Sequence, residues 1–304
     1  MVKGYIDRIR MGRLYRLPTT NYSHRFFSDL CSGYKYTLGD NDNHRDFLFF
    51  EPPDSKIAML IKNKYDYDMS YHMEQLIEDV IYSLLAYGNA YIFITPNYLP
   101  NLSHKEGTNT CTNELFSIQI DEIEGFIKKR SHDFFLFCRR VYNGTTSDVE
   151  IAKNQLIIFD IRDLGYSRRY FEKTLKKISK YDVTSAAIFM ADNNIDVYDY
   201  TVHSKKYRIM QMKASRKTGW TLGVDGLSDS YILYKKIRTD KFKLCLLKYC
   251  IERINSGLID FIGDPGGKLV ANINEKNYDQ LWNDYSSGQI TLTELTHILY
   301  PHHL

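Results

Sequence analysis

Cysteine is scarce and unpaired in this chain. Cys31, Cys111, Cys138, Cys245 and Cys250 make an odd set of five with no Cys-x-x-Cys pair. A disulfide framework and a zinc ribbon are therefore not expected, and the thiols read as free ones of a reducing compartment. No run of 18 apolar residues occurs and no apolar segment follows the basic start, so neither a membrane span nor secretion is expected. Only seven prolines occur, and no internal repeat or low-complexity stretch, which excludes fibrous and linker-like classes. Gly-x-Ser-x-Gly is missing. The glycine-rich turn Gly263-Asp264-Pro265-Gly266-Gly267 lacks the Gly-Lys-Ser/Thr ending of a phosphate loop. No motif names a reaction, so the chain is read as no enzyme, with no cofactor and no metal.

What the chain has is length and apolar content. Its 304 residues, 43% of them hydrophobic, suffice for one large core or two modest ones. Twenty-five tyrosines outnumber sixteen phenylalanines, a bias that suits interfaces because the ring is rigid and amphipathic. The net charge of +3 hides an asymmetry. Residues 205–248 hold twelve Lys/Arg against Asp225, Asp229 and Asp240, whereas residues 181–204 hold four Asp and no Lys or Arg. A local basic surface follows from that, rather than a chain that is basic throughout. The start is basic as well, with Lys3, Arg8, Arg10, Arg13 and Arg16 against Asp7.

Periodicity divides the chain into four parts. Residues 1–65 read as an N-terminal arm and irregular region, with Phe47–Phe50 as a buried strand or anchor. Residues 66–165 read as a helix plus antiparallel sheet. Ser70 caps a stripe of Met73, Leu76, Ile77, Val80, Ile81, Leu84 and Leu85, Gly88 stops it, and Ala90–Ile94 is a strand ended by Pro96. Further strands are expected at 115–120, 125–128, 134–141 and 155–161. Residues 166–258 read as two long helices, over 168–190 and 233–258, flanking a small β insertion at about 195–227. Residues 259–304 read as a small β/α segment with a strand at 269–273 and helices at 278–285 and 291–299. The fold class expected is α+β, a mixture of helices and antiparallel sheet.

The longest helix carries the clearest pattern. Leu233, Ile237, Asp240, Leu244, Leu247, Ile251, Ile254 and Leu258 follow at steps of four and three, a heptad seam apolar at every point but Asp240. Ser228 suits its N-cap and Gly257 its stop. Lys235, Lys236, Arg238, Lys241, Lys243 and Lys248 form a basic outer face. The seam fits either a contact between copies, through Leu233, Ile237, Leu244, Leu247, Ile251, Ile254 and Leu258, or packing within one subunit.

Three stretches bear on chemistry. Asp160 and Asp163, at the end of Leu156-Ile157-Ile158-Phe159, have the placement of metal-binding carboxylates for phosphoryl transfer. A turn in which they pair with Arg162 or cap a helix is the simpler account. Asn283–Glu294 matches a calcium loop at Gly288, Ile290 and Glu294, but Tyr285 is a poor ligand. Thr291 and Glu294 read better as a capping box. Finally Lys205, Lys206, Arg208, Lys213, Arg216, Lys217, Lys235 and Lys236 are the candidate nucleic-acid contacts, with Tyr207 and Trp220 beside them.

Leu84-Leu85-Ala86-Tyr87-Gly88-Asn89-Ala90-Tyr91-Ile92 resembles the helix-turn-strand of tailed-phage portal proteins, in which a Tyr-Gly-Asn-Ala turn leads into a sheet strand. Gly165-Tyr166-Ser167, opening a helix after a strand that ends near Ile161, is similar to a second feature of that family. The resemblance covers residues 70–258 and implies a wing, two stem helices around a clip, and a homo-oligomeric ring of about twelve copies. It implies double-stranded DNA in the bore, terminase and capsid or scaffold proteins as partners, and a place in the virion after assembly in the host cytoplasm. Two other readings stay open: a metal-dependent nuclease or other phosphoryl-transfer enzyme using Asp160 and Asp163, and a nucleic-acid-binding module without a ring.

Overall fold

The computed structural model describes residues 21–39, 46–61, 68–98, 116–141, 145–174, 190, 196–220, 228–274 and 276–300. Within these residues the fold is mixed α+β, with three small antiparallel sheets set among helices. Helix α1 (Asn21–Cys31) and the short α2 (Tyr34–Leu38) lead to strand β1 (Leu48–Glu51) and a turn of helix, α3 (Lys56–Leu60). This part was expected to be irregular. It is helical because Phe26, Phe27, Leu30, Tyr34 and Leu38 fall at helical spacing and are buried in the main core.

Helix α4 (Met69–Tyr87) follows the expected stripe, and Met73, Leu76, Ile77, Val80, Ile81, Leu84 and Leu85 are all buried. Its cap is Asp68, whose carboxylate accepts from the Ser70 amide at 2.8 Å. The Ser70 hydroxyl instead accepts from the Leu48 amide, tying β1 to the helix start. Gly88, in the left-handed region at φ 80, closes α4 and turns the chain into β2 (Asn89–Tyr98).

Strand β2 is the middle of a sheet ordered β3-β2-β7, with β3 (Phe116–Glu122) and β7 (Leu156–Asp160) antiparallel on its two sides. It does not stop at Pro96. Pairing with β7 ends at Phe93, so Pro96 has a neighbour only on the β3 side, where it faces Ile118, and a missing N–H is tolerated at such an edge. The second sheet, β4 (Gly125–Arg130), β5 (Phe134–Arg140) and β6 (Thr146–Ala152), is a meander packed through Phe135, Phe137 and Ile151 onto Tyr91 and Leu156. β6 was not expected as a strand: only Ile151 of its seven residues is buried.

The helix expected over 168–190 starts within the described residues as a turn at 170–174, and 175–189 lie outside them. Of the β insertion expected at about 195–227, residue 195 and residues 221–227 lie outside the described residues, and the part from 200 to 218 is helical instead. Residues Tyr200–Thr218 form a helix, α5, capped by Asp199, which accepts from the amides of Thr201 and Val202, and closed by Gly219 at φ 79. The buried Ser215 and Thr218 and the partly buried Tyr207 and Met210 recur at steps of three to five, which is helical spacing, and no proline or glycine interrupts. Trp220 then plugs the core beside Phe26, with ring centroids 5.1 Å apart, and donates from Nε1 to Asp29.

Helix α6 (Asp229–Ile262) is one unbroken element of 34 residues, about 51 Å long at about 1.5 Å per residue. Ser228 is at its N-cap, but the stop is Gly263 rather than Gly257. Gly257 serves a close approach: a Cβ there would lie 2.3 Å from Cγ1 of Ile157, so the helix lies almost directly on β7. Beyond it β8 (Lys268–Ala271) pairs antiparallel with β1, joining an early and a late segment of the chain. Helices α7 (Tyr278–Ser286) and α8 (Leu292–Leu299) fold back onto the first turns of α6. One core draws on α1, α4, β2, β7, α6 and β8, so a single packed body runs across all four sequence segments.

Candidate nucleic-acid interface

The sequence nominated eight cations, and six of them lie on α5: Lys205, Lys206, Arg208, Lys213, Arg216 and Lys217. The helix carries no Asp or Glu. At about 100° per residue the six fall on one half of its circumference. Tyr207, Met210, Ser215 and Thr218 occupy the other half, turned inward. Lys217 Nζ is 5.1 Å from the ring of Tyr166 and 5.0 Å from that of Tyr170, so this amine rests on aromatic faces. The α5 end is fixed on α6, where Arg238 donates to the Arg216 carbonyl and Gly219 leaves no room for a Cβ beside Arg238 and Thr239.

The other two nominated cations are removed from the set. Lys235 is 6% exposed and donates to Ser215 Oγ at 2.7 Å, with Nζ 5.2 Å from the Tyr231 ring. Lys236 is held by both carboxylate oxygens of the buried Asp240, at 2.6 and 2.7 Å. Neither is offered to a phosphate. Lys243 is also buried. The basic outer face of α6 is thus partly an inner one, because the helix is packed on several sides.

The seam residues have intramolecular partners too. Leu233 and Ile237 pack with Tyr278, Leu295 and Leu299 of α7 and α8. Leu247, Ile254 and Leu258 lie in the main core, with Leu244 and Ile251 packed against it. Five of the seven seam residues, Leu233, Ile237, Leu247, Ile254 and Leu258, are thus buried within one subunit, and Leu244 and Ile251 are half-buried. Asp240, its one polar point, is buried where Lys236, Lys243 and Lys276 surround it. Burial raises its carboxyl above the ordinary value against the pull of these amines.

Asp160 and Asp163 come together with other partners than a metal. Asp160 is buried at the end of β7. Arg162 donates to it from Nε at 3.0 Å, from Nη2 at 2.7 Å and from its amide at 3.0 Å, while Arg168 donates from Nε at 3.1 Å and from Nη2. Asp163 accepts from the Tyr249 hydroxyl at 2.8 Å, and that hydroxyl accepts from the Asp160 amide. Two guanidiniums already occupy the Asp160 oxygens. No group of three His, Cys, Asp or Glu suited to a metal occurs among the described residues. Burial alone would raise the Asp160 carboxyl, but hydrogen bonds from Arg162 and then Arg168 outweigh it and hold the group well below the usual carboxylate range. The unfolded chain takes up this proton near pH 4, whereas the folded chain resists. The contribution is complete above about pH 4 and fades below it. In denaturant titrations the stability advantage of wild type over Asp160→Asn is therefore expected to shrink between about pH 4 and 2.5. A constant gap would mean that the arginines leave the proton affinity unchanged.

The calcium-like stretch resolves into α7, a turn at Gly288, and α8. Thr291 and Glu294 form the capping box expected from the sequence. Sequence reading missed a cleft between the two larger sheets, lined by Ser83, Tyr87, Tyr91, Glu122, Glu124 and Arg140. There burial pushes Glu122 up to about 7 despite the hydrogen bond from Ser83. No spacing signal marks it, because its members come from α4, β2, β3, the β3–β4 turn and β5. No helix among the described residues is long and apolar enough to cross a membrane. Set against known family models and curated proteins, the sequence matches none.

Proposed function

We propose that this chain is the repeating subunit of a portal-like ring through which double-stranded DNA is packaged and ejected. The observation that carries the reading is the meeting of the two portal-like stretches. Gly88 of the Tyr-Gly-Asn-Ala turn lies against the Arg168 main chain, its carbonyl accepts from the Ile161 amide at 3.0 Å, and Asn89 pairs with Asp160. Two motifs some 70 residues apart in sequence thus form one joint between helix, sheet and the 165–174 segment. A single helix of 34 residues braced on that sheet is a rigid strut, the kind of element a mechanical ring needs. No catalytic constellation is required for such work. The nuclease alternative is weakened because the Asp160 oxygens are committed to arginine.

In this reading the flank of α5 that carries Lys206, Lys213 and Lys217 meets phosphates in a loose, sequence-independent way. Terminase and capsid or scaffold proteins are the further partners, and the virion is the place. The test is mass photometry of the purified chain, alone and with its scaffold, alongside duplex binding between 50 and 200 mM salt. Ring-sized particles are expected, many times 35.8 kDa. Changing Lys213→Glu with Lys217→Glu should weaken duplex binding and reduce the salt slope by about 2. A chain that stays monomeric with and without scaffold refutes the ring. Unchanged DNA affinity removes this flank of α5 from the bore.

A further inference from the structure

The described surface has two helical faces of opposite character. On α4, Tyr71, Gln75, Asp79 and Tyr82 follow at steps of four, four and three and are all exposed, the tyrosines at 48% and 38%. Glu74 and Glu78 border them, half-buried. The helix contains three acids and no Lys or Arg. None of the three makes a salt bridge among the described residues. On α5, Lys205, Arg208, Met212 and Arg216 follow at steps of three, four and four. All are exposed, Met212 at 50%, on a helix with six cations and no acid.

We infer that the α4 stripe of one copy seats against this α5 stripe of the next. The inference rests on the ring reading and gives that ring its lateral contact. Each stripe spans eleven residue steps, about 16 Å at about 1.5 Å per residue, so the two match in length. Each is mixed in the complementary sense: tyrosines around a central carboxylate on one, cations around a central methionine on the other. Arginine over a tyrosine ring and methionine against an aromatic edge are both favourable pairings. Like charges three apart, such as Lys213–Arg216, repel along α5, and acids of a neighbour would relieve that. The two faces belong to different parts of one chain: α4 packs on β2 and β1, and α5 is fixed to α6. The contact is therefore head-to-tail, and such a contact continues from copy to copy until rotation closes it. Lys206, Lys213 and Lys217 lie to one side of the α5 stripe, with Lys213 and Lys217 exposed.

Charge reversal tests this directly. The first variant is Gln75→Lys with Asp79→Lys, and the second is Lys205→Glu with Arg216→Glu. All four positions are exposed, so both variants should keep the wild-type circular dichroism and melting temperature. Each alone is expected to need at least tenfold more protein for half-assembly in mass photometry. An equimolar mixture should recover assembly, because every α4 then finds an α5 of opposite sign. The chain carrying all four substitutions should recover it alone. If both variants assemble like wild type, this pairing is wrong while the ring stands. If the second variant assembles normally but loses DNA affinity, the α5 stripe faces DNA and the pairing is also wrong. Loss of assembly without recovery in the mixture or the fourfold variant likewise overturns it. A wild type that never assembles removes the ring and this contact together.

Discussion

Replacing Gly88 with alanine is expected to lower stability by about 3 kcal/mol or more, and the melting temperature by roughly 6–12 °C, measured by thermal unfolding. Two effects add. Gly88 sits at φ 80, where any L side chain costs about 1–2 kcal/mol. A Cβ there would also lie 2.3 Å from the Arg168 carbonyl oxygen and 2.8 Å from its Cα. Both are main-chain atoms, so no rotamer relieves the clash, and the segment carrying Arg168 must move off β2. That movement takes Arg168 from Asp160 and strains the Ile161 bond to the Gly88 carbonyl. Gly165 is the built-in control. Its φ is 78, and nothing lies within 4 Å of its would-be Cβ. Gly165→Ala should show only the conformational cost, about 1–2 kcal/mol. Equal losses at the two positions would mean that the close approach contributes nothing to the joint.

That pair of glycines shows what a sequence can and cannot say. The motif around Gly88 was legible, as was its role as a helix stop, because stop and stripe agree locally. Its closeness to Arg168 was not, since nothing in the spacing links residues 80 apart. Gly257 carries the same lesson in reverse. A glycine late in a helical pattern reads as a terminator, and here it is the flat spot that lets α6 touch Ile157. Helix α4, β2, β3, β5, β7 and the last two helices were legible from periodicity and caps. Helix α5 was not, because two of its inward positions are Ser215 and Thr218 and its apolar stripe is thin. The candidate site fared unevenly. Six basic positions were gathered on one face, although the helix had been read as strands. Lys235 and Lys236 were misplaced because a lysine on a long helix is taken to point outward. α6 is enclosed by α1, α2, α4, β7, α7 and α8, so its polar arcs are buried as well. There amines find hydroxyls, carboxylates and carbonyls instead of water.

Lys243 is the clearest of those enclosed amines, and it gives the second large effect. Its Nζ donates to the carbonyls of Ser32 and Asp29 at 2.7 and 3.1 Å and lies 4.8 Å from the Tyr34 ring, so it holds the end of α1 and the start of α2 onto α6. Burial first, then Lys236, pushes the amine from its ordinary 10.5 down to about 8, although Asp240 pulls the other way. Cys31 and Glu78 face it as well, and both favour its charged form. The unfolded chain thus keeps this proton to about pH 10.5, whereas the folded chain releases it near pH 8. Between those values the unfolded state binds more protons, so the Lys243 contribution to stability rises with pH. A neutral amine still has two hydrogens for the two carbonyls. Lys243→Met is expected to cost about 1–2 kcal/mol at pH 7, since two buried carbonyls lose their donor. By pH 9.5 the gap should widen by about 2 kcal/mol, read by denaturant titration of both proteins in parallel. Buried thiols such as Cys250, which burial raises, act in the opposite direction, but they are present in both chains and largely cancel in the difference. A gap that stays flat from pH 7 to 9.5 would show that the amine keeps its proton inside the fold as it does in the unfolded chain, as it would if water reached it.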